Sequence, residues 1–260
     1  MPDFHFQRSH VRRSFDRAAA SYDQAAALQR RVADHLLSVV DGIVETDPPR
    51  ILDAGCGTGY GAVLLAQRFP CAALSGFDLA PGMLHATRQR LPHMPLFCGD
   101  MQSLPLASDC VDLFWSSLML QWCDRLDLAF TGARSALALG GRFVFSTFGP
   151  ATLSELRNSF DDGHAHVSRF AAPTELEKHL RTAGFVDVHI ETRTEILHYP
   201  DVKSLMLELK AIGAHNAAAT RKRGLTGKRA WQAMLANYES LRSDAGLPAS
   251  YEVVYAVASA

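Results

Sequence analysis

The sequence predicts an α/β fold, a mostly parallel sheet wrapped by helices, and three observations predict it. The apolar run Arg50 to Ala54 leads straight into Gly55, Gly57 and Gly59, and Ala62-Val63-Leu64-Leu65-Ala66 follows. That is the order strand, glycine turn, helix. Further on, strand-like and helix-like runs alternate as far as Phe148, which argues for strands lying parallel in a doubly wound sheet. Composition permits such a core: of 260 residues, 48% are hydrophobic and 20% charged, ordinary values for a globular protein. The length admits one large α/β domain or two small ones, and the pattern reads as one domain spanning 1–260.

Taken in order, residues from about Val11 to Val44 read as helices. Phe15, Ala18, Ala19 and Tyr22 fall at near-helical spacing, then Leu28, Val32, Leu36, Val39 and Val40. The stretch Phe15 to Asp23 either packs as a plain amphipathic helix, the reading local pattern favours, or folds over the carboxyl edge of the sheet. After the first strand and its helix, Ala72 to Phe77 is a second strand ending at Asp78, and Pro81-Gly82-Met83-Leu84 opens a helix. Pro95 to Cys98 is a short third strand, Val111 to Ser116 a fourth, and Ser116 to Trp122 the turn after it. A helix through Ala138 is expected to end at Gly140-Gly141, as helices do at glycine, with Arg142 to Phe148 a fifth strand. Beyond it, Leu153 to Phe160 and Pro173 to Ala183 read as helices, with Thr174 able to cap the second. Phe185 to Ile196 and Tyr251 to Ala258 are strand-like, and a helical, basic stretch lies between them.

Several function classes recede on composition. The formal net charge is −1, so nothing global points to nucleic acid or an anionic membrane. Five cysteines form no C-x-x-C pair, which argues against a disulfide framework or a zinc site. Met1 to Arg17 has no apolar secretion core, and no run approaches the length that spans a bilayer. A soluble, cytoplasmic protein is expected, without nucleic-acid or membrane partners. The histidines form no helical H-x-x-x-H pair; His164 and His166 fall in a loop-like segment, and no metal is expected.

The chemistry concentrates at the glycine turn. Strand, turn and helix bring backbone N–H groups and the positive end of a helix dipole to one spot, where glycines let a ligand lie against the main chain. A dinucleotide fingerprint needs G-x-G-x-x-G, whereas Tyr60 takes the last glycine's place here. Asp53, at the carboxyl end of the strand, would repel a pyrophosphate and suits a ligand carrying an ammonium group. Asp78, about 20 residues on, stands where a βαβ unit places the acid that accepts from ribose hydroxyls; capping the next helix is its other reading. Asp100 and Met101 either hold an adenine, the acid accepting from its amino group, or simply form a turn. There is no G-x-S-x-G nucleophile elbow, and Cys56 sits where a ligand on the turn would cover it.

The octet Leu52-Asp53-Ala54-Gly55-Cys56-Gly57-Thr58-Gly59 resembles the first motif of class I S-adenosylmethionine-dependent methyltransferases. The flanks are similar to a narrower family, the malonyl-acyl-carrier-protein O-methyltransferases of biotin synthesis. The segments concerned are Phe15-Asp16-Arg17-Ala18-Ala19-Ala20-Ser21-Tyr22-Asp23, Leu28-Gln29-Arg30-Arg31, Gln121-Trp122-Cys123, His166 to Phe170, Leu209 to Ala214 and Tyr251 to Tyr255. The resemblance runs from about Arg13 to the last strand, and His215-Asn216 departs from the Thr-containing version of some members. It implies a Rossmann-like sheet of seven strands, the last antiparallel, with a helical N-terminal lid (8–45), a cofactor-binding core (49–149), and a remainder (150–260) carrying a helical cap at about 200–246. It further implies S-adenosylmethionine as cofactor. Asp53, Gly55, Cys56, Gly57 and Gly59 would lie at its methionine part, Asp78 and Leu79 at the ribose, Asp100 and Met101 at the adenine, and Ser116 and Ser117 would close the site. Tyr22 would cover cofactor and substrate.

The reaction implied is methylation of the free carboxylate of malonyl-acyl-carrier protein or malonyl-CoA; a small free acid or a quinone precursor is the alternative acceptor, and a non-catalytic binding module the alternative class. A carboxylate is ionised at neutral pH, so no general base is needed, and Arg169 and Lys210 are candidate anchors for it, against ordinary surface pairing. The implied carrier partner is acidic. Arg12-Arg13, Arg30-Arg31 and the run from Arg221-Lys222-Arg223 to Lys228-Arg229 are either its docking face or solvated charge.

Overall fold

The computed structural model describes residues 7–160, 166–214 and 228–260. Seven strands form one sheet: β1 (Arg50–Ala54), β2 (Ala73–Asp78), β3 (Leu96–Cys98), β4 (Val111–Ser117), β5 (Leu137–Phe148), β6 (Val186–Tyr199) and β7 (Leu247–Ser259), in the order β3-β2-β1-β4-β5-β7-β6. β1 to β5 pair in parallel, and β7 runs antiparallel to both β5 and β6. The last strand is thus the reversed one, as the family resemblance implies.

The strands are apolar on both faces because both are covered. Ile51, Leu113, Trp115, Val144 and Tyr255 face one side, under α3 (Ala27–Val39), α7 (Ser154–Ser159), α9 (Val202–Ala211) and α10 (Lys228–Glu239). Their chain neighbours Leu52, Phe114, Phe143, Phe145 and Ala256 face the other, under α6 (Leu126–Ala136) and α8 (Pro173–Thr182). Leu28, Val32 and Leu36 recur every fourth residue of α3 and are buried, each contributing roughly 1.5–3 kcal/mol. α4 (Tyr60–Arg68) and α5 (Pro81–Arg90) follow β1 and β2, while α1 (Arg8–Ala18) and α2 (Tyr22–Ala25) precede the sheet. No helix among the described residues is long and apolar enough to cross a membrane.

Three local expectations are corrected. The N-terminal helix does not run through to Tyr22: it breaks after Ala18, where Ser21 turns back with its N–H and its hydroxyl on the Ala18 carbonyl. Gly140-Gly141 does not end a helix. α6 stops at Ala136, and the glycines sit inside β5, where the register slips from Val111 opposite Leu137 to Leu113 opposite Arg142. Gly140 takes φ of 78° at this bulge, a backbone conformation that favours glycine. Thr174 is not the cap of α8; Ala172 holds that position, and Glu175 accepts from its N–H at 2.9 Å.

Candidate functional site

β1 and β4 are neighbours in the sheet although four elements separate them in sequence. At such a reversal of strand order the loops diverge and leave a crevice at the carboxyl ends. The turn after β1 is bound to the end of β2, since Gly55 and Cys56 both donate their N–H to the Phe77 carbonyl, at 2.8 and 2.9 Å. Asp78 braces it further: Oδ2 accepts from Gly57 N–H at 3.0 Å and Oδ1 from Ala80 N–H at 2.8 Å. Gly57 presents open space where a side chain would begin, whereas a Cβ on Gly55 would come within 2.4 Å of Met119 Cγ. One glycine therefore opens onto the crevice and the other admits Met119.

Two cavities of about 730 and 480 Å³ of unfilled space occupy the crevice. Asp78, Leu79, Asp100, Met101 and Trp122 line the first, together with Arg8, Val11 and Phe15 from α1. Asp53, Cys56, Gly61 and Trp115 line the second, with Gln29 and Arg30 from α3. Tyr22, Gly55, Gly57 and Ser117 line both and mark where they meet. The N-terminal segment therefore does fold over the carboxyl edge. Asp16 Oδ1 accepts from Gly82 N–H at 2.8 Å, Asp23 Oδ1 accepts from the Thr58 hydroxyl at 2.7 Å, and Asp23 also pairs with Arg90. Phe15 meets Trp122 edge-on, ring centres 5.3 Å apart.

The electrostatics ask for a cation. Asp53 is 2% exposed, and burial first, then the Asp78 charge, pushes its carboxyl up to about 7. Burial likewise lifts Asp78 to about 6, against the N–H groups of Ala80 and Gly57 that favour its anion. Asp53 Oδ2, Trp115 Nε1 and Gln29 Oε1 are buried without a hydrogen-bond partner, and all three residues line the second cavity. Buried orphans of this kind are costly, and together they match a small zwitterionic head group. Asp100 accepts from Gln102 N–H at 2.9 Å and pairs with Arg8 at 2.9 Å. Burial, then Asp78 and Asp23, drives the Tyr22 phenol well above its ordinary range, and burial does the same to Cys56. Both stay protonated at neutral pH, so neither is poised as a base or a nucleophile.

Of the residues expected at the site, Asp53, Gly55, Cys56, Gly57, Asp78, Leu79, Asp100, Met101, Ser117 and Tyr22 line the cavities. Gly59 lies behind them, starting α4, and the Ser116 hydroxyl is fully buried on the Ala54 carbonyl at 3.0 Å. Arg169 lines neither cavity and pairs with Glu175 at 2.9 Å; Lys210, at the end of α9, is exposed. His164, His215-Asn216 and Arg221-Lys222-Arg223 lie outside the described residues. Sequence reasoning missed Arg8, Trp115, Asp23 and Gln29; the last two sit inside the quoted flanking segments, whose resemblance to the family was the available signal. Among the described residues no His, Cys, Asp and Glu cluster could hold a metal ion.

Residues 52–145 match the family model described as "Methyltransferase domain". The malonyl-acyl-carrier protein O-methyltransferase of Laribacter hongkongensis is 46% identical over 97% of this chain and 89% of its own. Its counterpart in Nitrosospira multiformis is 44% identical over 97% and 89%. Among solved structures, phosphoethanolamine N-methyltransferase 2 of Haemonchus contortus in complex with S-adenosyl-L-methionine aligns with a TM-score of 0.59 at 17% identity, covering 94% of this chain and 57% of that one. That likeness speaks for the fold.

Proposed function

The chain belongs to the malonyl-acyl-carrier protein O-methyltransferases, and from that premise we propose that it methylates the free carboxylate of a malonyl thioester carried on acyl carrier protein, giving the methyl ester used in biotin synthesis. The observation that carries this reading is the match to such relatives over nearly their whole length and its own. The cofactor is S-adenosylmethionine, which when bound supplies a methyl group on a positively charged sulfur.

We assign Asp53, with Gln29 and Trp115, to the amino-acid end of the cofactor, Asp78 to the ribose, and Asp100 with Met101 to the adenine. The unpartnered buried atoms of Asp53, Gln29 and Trp115 support the first assignment. Two buried carboxylates, both raised by burial and Asp53 further by the Asp78 charge, favour a cationic occupant, because a positive charge nearby lowers the cost of ionising both. The malonyl carboxylate is ionised at neutral pH, which accords with a site whose phenol and thiol both stay protonated. Catalysis then rests on alignment and on excluding water. Tyr22, at the meeting of the cavities, orients the reacting groups; residues 8–45 act as the lid. Lys210, exposed at the end of α9 and without an acid partner among the described residues, is a better carboxylate anchor than Arg169, which Glu175 already engages.

The test is transfer of a radiolabelled methyl group to malonyl-carrier protein, malonyl-CoA and free malonate side by side. Label on the carrier protein, released by mild alkali as an ester must be, is the expected result. Transfer only to free malonate, or to none of the three, would sink the reading.

A further inference from the structure

We propose that the outer face of α1, carried by Arg13 and Arg17, is the surface on which an acidic carrier protein docks; this rests on the function proposed above. In a chain of net charge −1, α1 (RSHVRRSFDRA) holds four arginines and one aspartate, hence +3. The one acid is turned away, since Asp16 accepts from Gly82 N–H on α5 at 2.8 Å. Val11 and Phe15 line the first cavity, and Ala18 is buried on the same side. Arg13 and Arg17, four residues apart, fall on the opposite side of the helix and are exposed. Arg13 donates only to the Ser9 carbonyl within its own helix, at 3.0 Å, and Arg17 has no acid partner among the described residues.

The other arginine pair of the N-terminal helices, Arg30-Arg31, is already engaged. Arg30 donates to the Asp23 carbonyl at 2.7 Å, and Arg31 pairs with Glu195 at 3.4 Å. Arg125 and Arg181 are neutralised by acids on or beside their own helices. Position favours α1 as well. A helix with its side chains is about 10–12 Å across, so a partner on the outer face lies one helix diameter from the cavity, within reach of a flexible thioester arm. Charge of this kind steers encounter and fixes orientation more than it adds affinity.

The test compares wild type with Arg13→Glu/Arg17→Glu on malonyl-carrier protein and on malonyl-pantetheine, a thioester without the carrier surface or any phosphate. The double reversal is expected to lower kcat/KM for the carrier substrate by about tenfold or more and to flatten its dependence on salt. Cofactor affinity and malonyl-pantetheine turnover should stay within about twofold, as expected of a surface remote from the chemistry. Equal loss on both substrates would make the face a support for the N-terminal helices, and no loss on either would make it solvated charge; each overturns the proposal. A titration of fluorescent carrier protein against both forms keeps the question separate from the reaction. Binding to wild type and not to the variant supports the surface even if no acceptor is methylated, a result that would fail the function alone. Binding of wild type to anionic phospholipid vesicles but not to carrier would assign the face to lipid and overturn the proposal.

Discussion

Asp53 and Asp78 close adjacent strands, and burial holds their carboxyls near 7 and near 6. The sign of the consequence follows from linkage. Between the ordinary value of 3.8 and about 7, the folded protein keeps a proton on Asp53 that the unfolded chain has released. The ligand-free protein therefore loses stability as pH rises through that window. Asp53→Asn removes the penalty: its melting temperature should fall less than that of wild type between pH 5 and pH 8, with the slope due to Asp78 remaining. Its affinity for S-adenosylmethionine at pH 8 should drop by about tenfold or more, the worth of a charged hydrogen bond. Parallel calorimetric melts and binding titrations check both, and a variant that melts with the wild-type pH profile would remove Asp53 as the titrating group. Tyr22→Phe belongs to the same scale. It should bind cofactor nearly as wild type but transfer methyl more slowly in single turnover; an unchanged rate would deny the hydroxyl a positioning role. The three aspartates at strand ends were legible because position along a βα unit fixes where such side chains point. Trp115 was not: its indole lies in an apolar strand, and only the sheet's burial of that face leaves its N–H unpartnered.

At the scale of elements, α1 and α2 are held over the crevice by polar ties rather than by a large apolar contact. The apolar part is small, Val11 with Phe15, Leu79 and Trp122. Asp23 carries much of the attachment, accepting from Thr58 on the glycine turn and pairing with Arg90 on α5. Asp23→Ala is expected to speed trypsin cleavage within α1 severalfold while β1 to β5 stay resistant, since a segment with few buried contacts opens locally. Timed digestion with mass spectrometry reads this, and wild-type cleavage rates would show that Asp23 is not the tie. Helix positions were well foreseen where apolar spacing was strong, as in α3. The break after Ala18 was not, because three alanines favour helix locally and the stop is imposed by docking. The Gly140-Gly141 pair was misread for a related reason: glycine marks a bulge as readily as a helix end, and only the neighbouring strand decides.

Across the whole molecule, the sheet divides the interior into two apolar layers. Phe143 is fully buried in one of them, with Phe145 and Phe114 at ring-centre distances of 4.7 and 5.3 Å. Phe143→Ala should cost about 3–5 kcal/mol, lowering the melting temperature by roughly 2–4 °C for each. Below its transition it should bind cofactor as wild type does, because Phe143 lines neither cavity; weakened binding by folded variant would show that the layers are coupled to the site. The parallel strands and their helices could be read from alternation alone. The reversed β7 could not, since a buried strand's apolar run carries no direction, and it was the family resemblance that implied it. One property of the crevice has a practical use. Of the three tryptophans in the chain, Trp115 and Trp122 line the two cavities, while Trp231 stands apart on α10. The molecule thus carries its own optical reporter: arrival of an adenine-bearing ligand should quench or shift the emission of two indoles while the third serves as internal reference. Phe substitutions at 115 and 122, made one at a time, would tell which end of the ligand arrives first.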